Sequence, residues 1–312
     1  MNRRPLGSTG IEVSEIGLGA WQLGNTDQWA GPDHDTSLRI VDEALSLGVN
    51  LFDTAPGYAG GRSEQLLGEA LEGRRADVVL VTKFGHKADG TSDWDAARIE
   101  PAVQQSLKAL RTDHLDVILM HSPPSELLDG KKAAHYREFE RLRSAGVVRA
   151  YGASVDWAAD IDTVVETTDS QVLEVLLHAF HQEPLAALEK ASTKGVGAIV
   201  KVPLDSGWLS GRYGKNASFT DVRSRWTPAD IERRAALVEQ FKKLLPDGVS
   251  MPHTALRWLL AKSAVSSVIP GAKSVEQLRD NVAAADATLP DDTVHAIEAL
   301  WAKEIQGDSL PW

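Results

Sequence analysis

A chain of 312 residues, 43% apolar and 25% charged, has the composition of an ordinary globular protein that can bury a sizeable core. Its formal net charge of -11 opposes sequence-independent binding to nucleic acid or to an anionic membrane, since both need a basic face. With no cysteine, disulfides, thiolate catalysis and Cys-ligated metals are excluded; with no apolar signal region and no run of membrane-spanning length, the expected compartment is the cytoplasm.

Residues 4–14 read as a short hairpin, with Ser8-Thr9-Gly10 turning between apolar pairs, placed to plug the bottom of a barrel. Residues 16–21 form the first buried strand and 24–35 a polar loop. Residues 36–48 carry apolar positions at helical spacing and stop at Gly48. Strands are expected next at 49–53, 78–83, 115–120, 147–154, 172–177, 196–202 and 265–269. The intervening helices fall at about 62–72, 95–110, 132–145, 157–168 and 184–194, with two in succession, 228–245 and 251–262, after the seventh strand. Helices at about 274–286 and 291–303 end the series.

Eight strands, each followed by a helix, imply parallel pairing and a closed (β/α)8 TIM barrel, expected as a single domain over residues 1–312 with an N-terminal hairpin cap and an extra C-terminal helix. The excess length lies in loops that follow strands, at 21–34, 84–94, 121–130 and 203–227. Such loops line the active face, so a deep mouth is expected. Trp21, Trp29, Trp94, Trp208 and Trp226 fall in or beside them, and with His86 they are candidates for the walls of an organic-substrate pocket; the alternative is barrel packing.

Three successive strands deliver an ionisable group at their C-terminal ends: Asp53, Lys83 and His121, with Tyr58 in a short glycine-bearing loop just beyond Asp53. A phenol is a poor acid at neutral pH, with an ordinary pKa of about 10. A neighbouring ammonium lowers it, and a carboxylate is needed to keep a buried lysine charged. Asp53, Tyr58, Lys83 and His121 together therefore suit proton transfer to an alkoxide or from an alcohol, with His121 orienting the substrate oxygen. Each residue alone has a structural reading as a helix cap, an ion-pair partner or a loop hydrogen bond. No metal-ligand spacing is visible.

The chain resembles the aldo-keto reductases along nearly its whole length. Phe52-Asp-Thr-Ala-Pro-Gly-Tyr-Ala-Gly-Gly-Arg-Ser-Glu-Gln-Leu-Leu-Gly68 is similar to the family signature around the catalytic Asp and Tyr. Ser106-Leu-Lys-Ala-Leu-Arg-Thr-Asp-His-Leu-Asp116 is similar to the second signature, which leads into His121, and Leu6 to Ser14 to the N-terminal hairpin. The resemblance implies hydride transfer between a nicotinamide cofactor, NADP(H) favoured and NAD(H) possible, and an aldehyde, ketone, alcohol or sugar hemiacetal. It implies Tyr58 as acid/base, Lys83 and Asp53 as its tuners, and His121 as substrate orienter.

Ile269-Pro-Gly-Ala-Lys-Ser-Val-Glu-Gln-Leu-Arg-Asp-Asn281 matches the family segment around the adenosine phosphate. A strand end opening a helix, with Lys273 beside free amides, suits a phosphate dianion, although a solvated loop charge is the alternative. Gly271 belongs to this segment, and Gln277 and Asn281 could bond adenine. Pro203, Leu204, Ser206 and Leu209 lie in a segment that resembles the loop over the pyrophosphate, and Ser154 matches the serine at the carboxamide. The nicotinamide end departs from the family pattern: Glu174 stands where a Gln is usual, and Lys201 where an aromatic often stacks.

An ion pair between Glu174 and Lys201 beneath the ring is expected, favouring the oxidised cofactor. Two other readings remain: a Schiff-base aldolase using Lys83, which the nearby Asp53 opposes, and a cofactor-binding regulatory subunit of the same fold.

Overall fold

The computed structural model describes residues 1–26 and 30–311. Two short strands, β1 (Arg3–Pro5) and β2 (Glu12–Ser14), pair antiparallel as the expected hairpin. A parallel eight-stranded sheet follows: β3 (Leu18–Gly19), β4 (Leu51–Asp53), β5 (Val79–Phe84), β6 (Leu115–His121), β7 (Val148–Val155), β8 (Val172–Leu176), β9 (Gly197–Lys201) and β10 (Ser267–Val268). Each strand pairs with the next, and a parallel bridge from Ile16 to Val268 joins the two ends. Two bonds seal that seam: Gly17 N–H to the Val268 carbonyl and Val268 N–H to the Glu15 carbonyl, both 2.9 Å. The sheet is thus a barrel.

The helices are α1 (His34–Ser46), α2 (Arg62–Ala70), α3 (Ile99–Ala109), α4 (His135–Ser144), α5 (Ala158–Thr167), α6 (Leu185–Thr193), α7 (Pro228–Lys242), α8 (Met251–Leu260), α9 (Val275–Ala283) and α10 (Asp291–Glu304). Their starts carry legible chemistry. Asp33 accepts from the Thr36 amide at 2.7 Å, and Thr227 and Asp230 form a capping box ahead of Pro228. Each such cap stabilises its helix by about 1 kcal/mol. The first strand is shorter than expected because the chain turns at Ala20 into a 3-10 helix, Ala20–Gln22, that carries Trp21 onto the loop side.

Because a strand's side chains alternate, each strand contributes to two cores. Phe52, Leu80, Ile118, Leu173 and Val200 face outward and pack under the helices. Leu51, Val79, Val81, Val117, Leu119, Ala150, Val172 and Ile199 face inward. Burial on both faces explains why the strands read as continuous apolar runs. The hairpin adds Leu6, Ile11 and Val13 to the inner core, closing the barrel's floor. Gly7 makes that seat possible: its φ is +57°, and a Cβ there would stand 2.3 Å from the Gly195 carbonyl oxygen and the Gly197 nitrogen.

Candidate active site

Continuing the inward alternation by one step past the apolar layer gives Asp53 on β4, Lys83 on β5, His121 on β6, Ser154 on β7, Glu174 on β8 and Lys201 on β9. The same two-residue period that fills the floor therefore lays a polar ring at the opposite end. Lys83 lies at its centre. Its ammonium donates to both oxygens of Asp53 at 2.7 and 2.6 Å and to the Thr54 carbonyl at 3.0 Å, and lies 3.2 Å from Glu174 Oε2. Tyr58 arrives from a turn in which Ala59, Gly60 and Gly61 all have positive φ, at 52°, 64° and 86°, where glycine costs little and alanine is strained. That turn brings the Tyr58 ring centroid to 5.1 Å from Lys83 Nζ and sets it edge-on to His121 at 5.5 Å. His86 lies beyond, with its ring 4.9 Å from that of His121.

Burial decides the protonation states. Burial opposes the charge on Lys83, but attraction to Asp53 and Glu174 outweighs it and holds the ammonium well above its ordinary pKa. Asp53 is pushed well up by burial and then by Glu174, against the pull of Lys83. Glu174, also opposed by burial, is held below its ordinary value by Lys83 and Lys201. Two carboxyls thus share one ammonium, and burial together with their mutual repulsion opposes a full charge on both. His121 is kept neutral by burial and by the charges of Lys83 and Lys201. For Tyr58 the sequence-based expectation is reversed: Lys83 does draw its pKa down, but burial and the two carboxylates raise it further. The phenol therefore stays protonated at neutral pH.

The ring forms the floor of a cavity of about 670 Å³ that extends outward between the loops after β9 and β10. Trp21, Asp53, Tyr58, His121, Glu174 and Lys201 line its inner end; Pro203, Leu204, Ser206, Gly271, Lys273 and Gln277 line the outer course. Arg212, Arg223 and Arg225 border it too, giving an acidic chain a cationic corner beside Lys273. Burial and the positive charge of Arg223 lower the Lys273 pKa, against the opposing pull of Asp221. Ser274 caps α9 at that corner, its hydroxyl accepting from the Gln277 amide at 3.2 Å.

The model of the aldo/keto reductase family matches residues 15–302. The chain belongs to the aldo/keto reductase family. It is 30% identical over 311 residues to the uncharacterized oxidoreductase YqkF of Bacillus subtilis (strain 168), covering 98% of both chains. It is 31% identical to L-galactose dehydrogenase of Arabidopsis thaliana, covering 95% of this chain and 93% of that one. Among solved structures, aldo-keto reductase AKR11C1 from Bacillus halodurans in its holo form superposes with a TM-score of 0.83 at 29% identity, covering 96% of each chain. Nicotinamide-dependent carbonyl reduction is the general activity of the aldo/keto reductases. Among the described residues, no helix is long and apolar enough to cross a membrane, and no group of three or more His, Cys, Asp or Glu could hold a metal ion.

Glu174 and Lys201 are not an ion pair. Glu174 turns to Lys83, while Lys201 pairs with Asp156 at 2.9 Å. Ser154 bridges the two by hydrogen bonds, because the paired register sets Lys201 beside Leu176 rather than Glu174. Trp208 and Trp226 do not line the cavity; they are buried and pack with Tyr213 and Phe219 into an aromatic core inside their own loop. Large apolar surface in a long loop is best buried there, leaving the arginines to face the mouth.

Leu209 is likewise in the core, and Asn281 is buried, donating to the Gly271 carbonyl rather than lining the cavity. Trp94 backs His86 at 5.4 Å without reaching the cavity lining, and Trp29 lies outside the described residues. The arginines were not anticipated, although three of them between residues 212 and 225 on one active-face loop were a readable signal. An aldolase role for Lys83 is opposed by its pinned, charged and fully buried amine.

Proposed function

We propose that the protein reduces an aldehyde or ketone, or oxidises the corresponding alcohol or sugar hemiacetal, using a nicotinamide dinucleotide with the 2'-phosphorylated form favoured. The observation that carries the reading is the Tyr58 ring, its centroid 5.1 Å from the Lys83 ammonium and set edge-on to a neutral His121, at the closed end of a long cavity. A protonated phenol and a neutral imidazole are what a carbonyl oxygen needs as it gains negative charge: His121 orients it and Tyr58 donates the proton. Lys83 then stabilises the phenolate left behind, and Asp53 keeps Lys83 charged.

The outer course fits a dinucleotide. Lys273, the Ser274-capped start of α9 and the nearby arginines suit a phosphate dianion, and Ser206 and Leu204 stand where a pyrophosphate would pass. The chemistry supplied by a bound reduced nicotinamide is delivery of hydride to the carbonyl carbon. Lys201 and Glu174 would face the ring, while Ser154, expected at the carboxamide, is buried behind them and outside the cavity lining. L-galactose dehydrogenase among the relatives makes small sugars sensible first substrates.

The test is turnover followed by nicotinamide absorbance, with both cofactors and a panel of aldehydes, ketones and sugars, in wild type and Tyr58→Phe. Turnover should fall by about 10²–10⁴-fold in the variant, the usual contribution of a positioned proton donor. An equally active Tyr58→Phe would refute its role. A protein that binds the cofactor yet turns over nothing would favour the regulatory-subunit reading.

A further inference from the structure

Glu174, Ser154 and Lys201 occupy three adjacent strands and have no part in the proton donation itself. They form a continuous row. Lys201 Nζ, partly exposed in the cavity wall and paired with Asp156 at 2.9 Å, donates to Ser154 Oγ at 2.8 Å and lies 3.4 Å from Ser122 Oγ. The Ser154 hydroxyl, fully buried, donates to Glu174 Oε1 at 3.0 Å. The other oxygen of Glu174 lies 3.2 Å from Lys83 Nζ, below Tyr58.

Every link can both give and take a proton, and all donors present point inward from the mouth. Lys83 is 1% exposed, so water does not reach its amine directly. We propose that Lys201, Ser154 and Glu174 form a proton wire that returns to Tyr58, from the cavity mouth, the proton it gives to substrate. The inference rests on Tyr58 acting as the acid.

One proton moves per reduction. Tyr58 O–H breaks and its proton joins the substrate oxygen, leaving a phenolate; Lys83 gives an N–H proton to that oxygen and becomes an amine. Glu174, protonated from Ser154, passes a proton to the Lys83 nitrogen, which lies 3.2 Å from its Oε2, and returns to a carboxylate. The Ser154 hydroxyl proton joins Glu174 Oε1 while Ser154 Oγ takes one from the Lys201 ammonium, which is recharged by water. No electrons change hands in the wire, and each site ends as it began.

In reduction assays, nicotinamide absorbance and a pH-indicator dye are followed together by stopped flow in wild type, Ser154→Ala, Ser154→Thr, Lys201→Ala and Tyr58→Phe. Proton uptake should keep pace with hydride transfer in wild type. In Ser154→Ala and Lys201→Ala it should lag behind, with kcat reduced by up to about 10²-fold and a larger solvent deuterium isotope effect. Ser154→Thr should recover most of the rate, and ethylamine should rescue Lys201→Ala.

Uptake that still keeps pace in Ser154→Ala would overturn the wire while leaving Tyr58 as acid, even if cofactor affinity fell. Wild type without turnover, or Tyr58→Phe as active as wild type, would overturn the wire together with the reading beneath it.

Discussion

Lys83 sits between two carboxyls, and a double-mutant cycle on Asp53 and Glu174 measures how they divide the work. At an effective dielectric of about 20, a unit charge 2.6 Å from the ammonium attracts it by about 6 kcal/mol and one at 3.2 Å by about 5 kcal/mol before desolvation. Either carboxylate can therefore hold the lysine once the other no longer competes. Glu174→Gln removes one attraction and one repulsion together, so it should cost about 0–1 kcal/mol. Asp53→Asn leaves one acceptor for the Lys83 ammonium where there were two and removes a competing carboxylate, so Glu174 carries the charge, at a cost of about 1–2 kcal/mol. The double variant strands a buried ammonium, which costs about 3–5 kcal/mol. Urea unfolding of the four proteins, with unchanged slopes, gives the cycle. A double-variant loss that equals the sum of the single losses to within about 0.5 kcal/mol would refute the idea that the carboxyls substitute for each other.

Lys273→Met should lower kcat/KM with the 2'-phosphorylated cofactor by about 10–100-fold relative to the unphosphorylated one, the worth of one hydrogen bond to a charged group; an unchanged ratio would remove Lys273 from the phosphate site. His121 and His178 are both held neutral below their ordinary value of 6.5, by burial first and then by neighbouring cationic groups. The unfolded chain then binds more protons below about pH 6.5, so stability falls as pH drops through that value and is fully present above it. Thermal melts at pH 5 and 7.5 should differ less for His178→Asn than for wild type, and equal differences would contradict the assignment. Trp208→Ala should destabilise by about 3–5 kcal/mol as a core deletion and leave inner-site chemistry largely intact once folded; a selective rise in substrate KM without loss of stability would restore it to the pocket wall.

The barrel was legible because two periods, 2 for strands and 3.6 for helices, alternate without interruption, and strand ends coincide with Asp53, Lys83 and His121. The inward position of the polar ring follows from the same count. Partner choice did not follow. Whether Glu174 meets Lys201 or Lys83 depends on strand stagger around a closed sheet, a three-dimensional quantity that residue spacing does not carry. The tryptophans failed for a different reason. A large aromatic on a long loop can wall a pocket or staple the loop to itself, and the presence of Tyr213 and Phe219 nearby, which decides for Trp208, only acts once the loop has folded back. The sign of the Tyr58 shift failed because one attractive charge was weighed without the burial and the second carboxylate that oppose it.

The hairpin that floors the barrel has a consequence for the order of assembly. The Arg4 guanidinium donates to the carbonyl of Val265, 261 residues away, and to that of Leu260, while Ser266 donates back to the carbonyl of Pro5. A segment made early is thus fastened by one made 261 residues later. During synthesis Leu6, Ile11 and Val13 have no finished floor to cover, and the edge at Ile16 stays unpaired until Val268 is released. Such long-range closure is slow, and it leaves a strand edge exposed to neighbouring chains in the meantime. The yield of native protein should therefore depend more on what shelters the nascent N-terminus than on the stability of the finished barrel.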